Sequence, residues 1–341
     1  MKLGSFILRR LLLAILVLIG LSVLIFIIAR VVPGDPARLA LGPRAPVEVV
    51  EQLRQELHLD KSLPVQYWIW LTNVLHGDFG KSLVSRRPVI EDIKEYLPAT
   101  LELVFFGALF LIFFSIFFGT LAARNKDRWA DNLIRVSAYI GVSIPAFVLA
   151  IFFVLIFGYA WPILPVLGRL SPQFDVSRVT GFMIFDSLFA GNSNAAWNAF
   201  THLILPSVAL ALAGTFQEAR IMRSTMLDNL TKDYINAEKG YGIPERIIMF
   251  KYLLKPSIIP PLSVMGMDIA AMMGIAFLVE MIFNWPGLSR YGMNAMLYKD
   301  LNAISGTVMI IGVGFTLSNI VVDVIVALVD PSIRLGGVRG E

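Results

Sequence analysis

Charged residues are missing from several long stretches of this chain, and those stretches have the length of membrane-crossing helices. From Leu11 to Ala29 nineteen residues run without a charge. At about 1.5 Å of rise per residue this matches a hydrocarbon core about 30 Å thick. Arg9 and Arg10 precede the run as they would in a signal peptide, but a signal's apolar region is about 7–15 residues and ends in small residues. Here the run ends at Arg30-Val31-Val32-Pro33, which predicts a retained first span. Leu103–Ala123 gives a second run of twenty-one residues, and Val136–Gly168 a third of thirty-three. Pro145 is expected to kink the third, with Pro162 and Pro165 in its exit loop. A fourth span is expected from His202 through Leu203–Phe216, projecting into water because Glu218 and Arg220 follow at once. A fifth, about Ile259–Phe283, carries Asp268 and Glu280. The sixth, Ala303–Val322, has twenty uncharged residues before Asp323. The pattern predicts an all-α membrane protein with six transmembrane helices.

Composition removes other classes. Of 341 residues, 57% are hydrophobic and 16% charged, against about 45–50% and about 25% in soluble domains. That leaves too few charges to cover a water-facing surface, and too much apolar content for disorder. The net charge of +4 is too mild for nucleic-acid binding. No cysteine is present, so disulfides, thiolate nucleophiles and Cys-type zinc sites are excluded.

Basic residues in short flanks stay on the cytoplasmic side. They gather at Lys2, Arg9 and Arg10; at Arg124, Lys126, Arg128 and Arg135; at Arg220, Arg223, Lys232, Lys239, Arg246, Lys251 and Lys255; and at Arg334 and Arg339. The opposite loops hold only Arg169 and Arg178, and Arg290 and Lys299. Both termini are therefore expected in the cytoplasm, with Arg87 and Asp186 outside. The boundaries predicted are residues 1–32 for the N-terminal flank and first span, 33–98 for an extracytoplasmic segment, 99–335 for a five-span core containing a cytoplasmic loop at 223–256, and 336–341 for the tail.

Two non-membrane segments are large enough to do something. In the outer one, Val49, Leu53, Leu57 and Leu59 alternate with Glu51, Arg54 and Glu56 as in a helix, and Tyr67, Trp68, Trp70, Leu71 and Leu75 suit an interfacial helix. This segment either packs on the spans or, through exposed charges such as Arg86 and Arg87, meets a delivery protein. In the inner one, Asn229–Lys239 has helical propensity, Gly240 and Gly242 offer a left-handed stop, and Pro244 suits the first position of a second helix. A connection between two spans needs only about five residues. Nearly forty residues carrying two helices point to a docking surface.

Catalytic chemistry is not evident. Gly80-Lys81-Ser82 resembles the end of a phosphate-binding loop, but the glycine required five positions earlier is Leu75. His58, His76 and His202 lack metal-site spacing, and no nucleophile elbow occurs. Glu102, Asp268, Glu280 and Asp323 lie at membrane depth, where a charge costs at least about 2.5 kcal/mol and so faces protein or water. Glu102 and Asp323, near span ends, read as helix–helix glue. Asp268 and Glu280 are candidates for either glue or a translocation path.

Taken in order, the motifs resemble the membrane subunit of ATP-binding-cassette importers of the dipeptide/oligopeptide/nickel permease group. They are Pro33-Gly34-Asp35-Pro36, His76-Gly77-Asp78-Phe79-Gly80-Lys81-Ser82, Leu97-Pro98-Ala99-Thr100-Leu101-Glu102-Leu103, Thr180-Gly181-Phe182, His202-Leu203-Ile204-Leu205-Pro206, Trp285-Pro286-Gly287-Leu288 and Asp330-Pro331-Ser332-Ile333-Arg334. Asp233–Gly242 resembles the loop that docks on the ATPase, although the family's threonine-alanine-arginine-alanine-lysine run is here Ala237-Glu238-Lys239-Gly240-Tyr241.

The resemblance implies a type I importer permease fold in the plasma (inner) membrane, with Tyr234, Ala237, Glu238, Lys239 and Gly242 coupling to an ATPase. It implies a second permease subunit, two ATPases and an external substrate-binding protein as partners. This chain would carry no cofactor, ATP and Mg residing on the ATPases. Peptide is the expected cargo, with oligosaccharide, glutathione or nickel chelate as alternatives. A proton-coupled secondary transporter working through Asp268 or Glu280, and a non-transporting scaffold, are the rivals from other classes. The first has no inverted repeat to support it, and the second leaves the ordered motifs unexplained.

Overall fold

A computed structural model describes residues 3–31, 36–42, 44–56 and 58–329. Pro33-Gly34-Asp35 and Asp330-Pro331-Ser332-Ile333-Arg334 lie outside these residues. The described chain is helical, and an isolated bridge between Lys81 and Pro88 is its one extended pairing. Helix α1 (Leu3–Val31) is followed by three short helices, α2 (Pro36–Leu41), α3 (Val47–Glu56) and α4 (Leu63–Leu75). Next come α5 (Val89–Arg124), α6 (Trp129–Ser143), α7 (Ala146–Leu155) with a π-helical turn Ile156–Ala160, and α8 (Met183–Phe189).

The long α9 (Ser193–Leu230) leads into α10 (Asp233–Gly240) and α11 (Glu245–Ile247). A π-helical stretch Ile248–Leu253 continues into α12 (Leu254–Ser257) and α13 (Ile259–Ile282), and α14 (Leu288–Leu297) and α15 (Leu301–Val329) complete the fold. Among the described residues five helices are long and apolar enough to cross a membrane: α1, α5, α9, α13 and α15. Their apolar cores fall on the five segments predicted as the first, second, fourth, fifth and sixth spans. Helix α9, at 38 residues, is about 57 Å long and outreaches any bilayer core.

The third span differs from expectation. Instead of one kinked helix, α6 and α7 meet at 104°. Proline lacks an N–H and forces the residue before it out of the helical region. Ile144, just before Pro145, sits at φ −104° and ψ 115°, and Pro145 starts α7 as its N-cap. The bent pair still carries the chain from one end of the bundle to the other, because its neighbours α5 and α9 run parallel. Gly107 faces Leu210 and Gly119 faces Met222, twelve residues on in both helices. Helices α13 and α15 run antiparallel, Gly266 against Val322 and Gly314 against Met273, and α1 packs antiparallel on α15.

Helix α9 is central and packs on α5, α6, α7, α8 and α13. The main core joins Leu103, Leu111, Leu203, Leu210, Met265, Met272, Phe283 and Trp285. Most large apolar side chains of α1 stay exposed, as in a helix bathed in lipid.

Candidate functional site

At the end of the bundle where α5 and α9 finish, helix α10 stands out on a short stalk. Lys232 and Asp233 start it, Asp233 lying in the first turn where an acid suits the helix dipole. It ends in a Schellman cap. The Ile243 N–H donates to the Glu238 carbonyl (3.2 Å) and the Gly242 N–H to the Lys239 carbonyl (3.0 Å), with Gly242 at φ +73°. A left-handed residue is needed there, and only glycine takes that conformation without cost. The second helix begins one residue later than the sequence predicts: Pro244 is the N-cap and Glu245 the first helical residue.

Tyr234, Ala237 and Lys239 are exposed and Glu238 half-buried, so four of the five predicted coupling residues offer side chains on one small outward helix. Gly242 turns the chain behind them. Ile235, unremarked in the sequence, is completely buried and anchors α10 in a cluster with Met222, Met226, Ile248, Met249 and Leu253. A polar clamp backs this cluster. Thr225 Oγ1 donates to the Ser257 carbonyl (2.9 Å) and Asn229 Nδ2 to Ser257 Oγ (3.0 Å), tying α9 to α12. Arg223 makes a two-pronged ion pair with the buried Asp131 at 2.5 and 2.6 Å, which fixes α6 to the same end of α9. Helix α10 is therefore tied through these contacts to α9, α12 and α6.

The four membrane-depth carboxylates fall into distinct settings. Glu102 is buried and paired with Arg169, and it also accepts the Ile184 N–H (3.1 Å). Arg169 donates to the Gly181 carbonyl (2.8 Å) and lies 5.4 Å from the Trp285 ring centroid. Trp285 Nε1 donates in turn to the Ala99 carbonyl (2.9 Å). Glu280 accepts from Thr100 Oγ1 (2.6 Å) and the Arg290 N–H (2.7 Å), while Thr100 Oγ1 also accepts the Leu288 N–H (2.8 Å). Gly287 packs directly on the Glu280 carboxyl, where any side chain would collide. Motifs around 97–103, 180–182 and 285–288 thus meet in one knot joining α5, α8, α13 and α14. Asp323 pairs with Arg10 at 3.0 Å, linking α15 to α1. Asp268 faces Glu218 of α9, a residue noted in the sequence only for ending a span. Both Glu218 oxygens and Asp268 Oδ2 are buried without a hydrogen-bond partner.

At the opposite end, the His76–Ser82 motif is a turn docked on α15. Ser82 Oγ and the Leu83 N–H each donate to Asp300 at 2.6 Å, and Asn302 Nδ2 donates to the Lys81 carbonyl at 2.9 Å. Asp92 is fully buried and takes Arg87, Ser85 Oγ (2.5 Å) and Tyr291 OH (2.9 Å). Arg87, though exposed, also donates to Glu95 (2.9 Å) and so braces the fold, and Arg86 beside it is exposed too. Asp186 caps the loop before α8. Burial pushes its carboxyl up, but hydrogen bonds from the Thr180 hydroxyl (2.7 Å) and from the Thr180 and Gly181 N–H groups outweigh that and hold it below the ordinary carboxylate range. Among the described residues no group of three or more His, Cys, Asp or Glu side chains is arranged to hold a metal.

Residues 115–335 match the family described as binding-protein-dependent transport system inner membrane component, and residues 3–104 match that system's N-terminal membrane component. A probable D,D-dipeptide transport system permease protein of Escherichia coli is 38% identical over 324 residues, 95% of each chain. A dipeptide transport system permease protein of Alkalihalophilus pseudofirmus is 36% identical over 330 residues, 97% of this chain and 99% of the relative. A glutathione transport system permease protein of Salmonella typhimurium is 36% identical over the same shares.

Proposed function

Because the chain belongs to the family of binding-protein-dependent transport system inner membrane components, we propose that it is one permease half of an ATP-driven importer of di- and oligopeptides. Near full-length similarity to two dipeptide permeases carries the cargo assignment. Glutathione, named for a third relative, is itself a peptide compound with a free ammonium and carboxylates, so the same chemistry covers it.

The chain crosses the inner membrane six times with both termini in the cytoplasm, counting the bent pair α6–α7 as one crossing. Parallel packing of α5 and α9 supports that count, since the chain must return between them. Positive-inside charge supports the orientation. Residues 33–98 form the outer segment, 99–335 the core and 336–341 the tail. Its partners are a second permease, two ATPases and an external binding protein, with ATP and Mg held by the ATPases. Helix α10 seats on an ATPase through Tyr234, Ala237, Glu238 and Lys239. ATP-driven closure of the ATPases moves α10, and the Ile235 cluster and Ser257 clamp carry that motion into α9 and α12. Asp268, which faces Glu218 and has its Oδ2 buried without a partner, is the better candidate for the translocation path. Glu280, saturated with hydrogen bonds, holds α13 to α14.

Proteoliposomes test the proposal. With ATPases, second permease and binding protein added, dipeptide uptake should require ATP and fall when glutathione or a longer peptide competes. Uptake driven by a proton gradient without the ATPases would instead support a secondary transporter, and uptake of an oligosaccharide but no peptide would overturn the cargo.

A further inference from the structure

Beside the root of the α10 module lies an open groove of about 830 Å³ between α5 and the segment Glu245–Leu254. Its walls are apolar: Leu109, Phe113 and Phe117 of α5 face Met249 and Phe250. The three α5 residues are exposed, so the groove opens sideways from the helix bundle rather than into its core. One end is different. Arg124, Arg246 and Glu245 form its rim, all exposed, and neither arginine has a hydrogen bond or ion pair among the described residues. Thr120 is also in the lining, with its Oγ1 turned into the protein and buried. It sits one turn, about 6 Å, inward from Arg124 along α5.

The length is informative. Leu109 to Arg124 is about 22 Å of helix, and half of a bilayer that is about 40–45 Å thick with its headgroups is about 20–22 Å. The groove therefore runs from the bilayer midplane to the headgroup level of one leaflet, apolar at depth and cationic at the surface. Two guanidiniums and one carboxylate leave the rim with one net positive charge. Basic pockets between membrane helices bind anionic lipid headgroups by this complementarity.

We propose that this groove is a binding site for a single anionic phospholipid of the phosphatidylglycerol type. Arg124 and Arg246 hold the phosphodiester, and an acyl chain lies along Leu109, Phe113 and Phe117. Placing the lipid in the inner leaflet rests on the orientation proposed above, but the binding itself does not. Since the groove borders the helix that leads out of the coupling turn, the lipid wedges between α5 and the π-helical stretch Ile248–Leu253, a kind of segment found mostly at functional sites.

The experiment is native mass spectrometry of the full chain, and of its assembled complex, after exposure to palmitoyl-oleoyl phosphatidylglycerol or phosphatidylcholine. The expected result is one retained phosphatidylglycerol in both preparations and little phosphatidylcholine. Arg124→Gln with Arg246→Gln should reduce retention at least about tenfold, the cost of two charge-assisted contacts. Phe113→Trp fills the groove without touching the rim and should also reduce it, so a poorly folding double variant does not rescue or sink the idea. Glu245→Gln, which removes the rim's carboxylate, should retain as much or more. Equal retention of the two lipids, unchanged retention in Phe113→Trp, or loss of the lipid once the second permease is bound would overturn the site. Lipid retention is read without transport, so a failed uptake assay and a failed lipid assay are separate results.

Discussion

Replacing Gly242 separates backbone conformation from contact more cleanly than any other change in the turn that ends α10. Its φ of +73° is left-handed, yet a Cβ built on it meets nothing within 4 Å. No clash contributes, so the whole penalty is conformational. Left-handed backbone costs a residue with a Cβ about 1–2 kcal/mol, least for asparagine, whose short polar side chain tolerates that region, and most for a β-branched residue. The series Gly242→Asn, Gly242→Ala, Gly242→Val should therefore be graded. Two hydrogen bonds of 3.0 and 3.2 Å hold the cap, each contributing only about 0.5–1.5 kcal/mol. A penalty of about 1–2 kcal/mol is of the size that holds it, shifting the population of capped α10 about 5–30-fold. Membrane insertion should not change, because the spans keep their sequence. The assay is co-purification of the ATPases with the permease, together with transport-coupled ATP hydrolysis, for all three variants. Equal assembly and coupling across the series would refute the reasoning, since α10 would then not need its cap.

Further outcomes are expected elsewhere. Ile235→Ala removes a completely buried side chain and should cost about 2–5 kcal/mol locally, read as faster protease cleavage within 231–247 while the spans melt normally. Glu280→Ala leaves the donors on Thr100 and Arg290 unsatisfied at about 1–3 kcal/mol each, and should lower the melting temperature, with Glu280→Gln milder because it keeps one acceptor. Asp186, held below the ordinary carboxylate range in the fold, contributes stability that is present above its unfolded value of about 3.9 and is lost as pH falls through the lower folded value. The melting-temperature gap between the parent and Asp186→Asn should be full at pH 7 and close on acidification below about pH 4. In a double-mutant cycle, Asp131→Asn and Arg223→Gln should show a coupling energy of about 0.5–3 kcal/mol, as their shared ion pair requires.

What the sequence made legible were features written in neighbouring residues. Charge-free runs mark α1, α5, α9 and α15, and a mostly apolar run holding only Asp268 and Glu280 marks α13, because a bilayer needs only length and apolarity, both local properties. The Gly-Tyr-Gly-Ile-Pro turn was readable for the same reason, as left-handed caps and proline starts act within five residues. The break before Pro145 was expected, but its 104° size was not. A proline fixes where a helix yields, while the packing of α6 and α7 on α9 decides how far. Pairs that hold the core together were illegible. Glu102 and Arg169 are 67 positions apart, Ser82 and Asp300 218. Nothing local in a buried carboxylate names the cation that neutralises it. Glu280 illustrates the limit: in sequence it was equally a path residue or glue, and only the fold brings Thr100, Arg290 and Gly287 around it.

The absence of cysteine makes the central claim, that α10 receives the ATPase, directly measurable. A photo-crosslinker attached at a single cysteine in Lys239→Cys should yield an adduct containing an ATPase subunit in the assembled complex. The same reagent in Arg86→Cys, on the opposite end of the bundle, should yield none with the ATPase and one with the external binding protein. An ATPase adduct from position 86, with none from position 239, would contradict both the docking assignment and the orientation on which it stands.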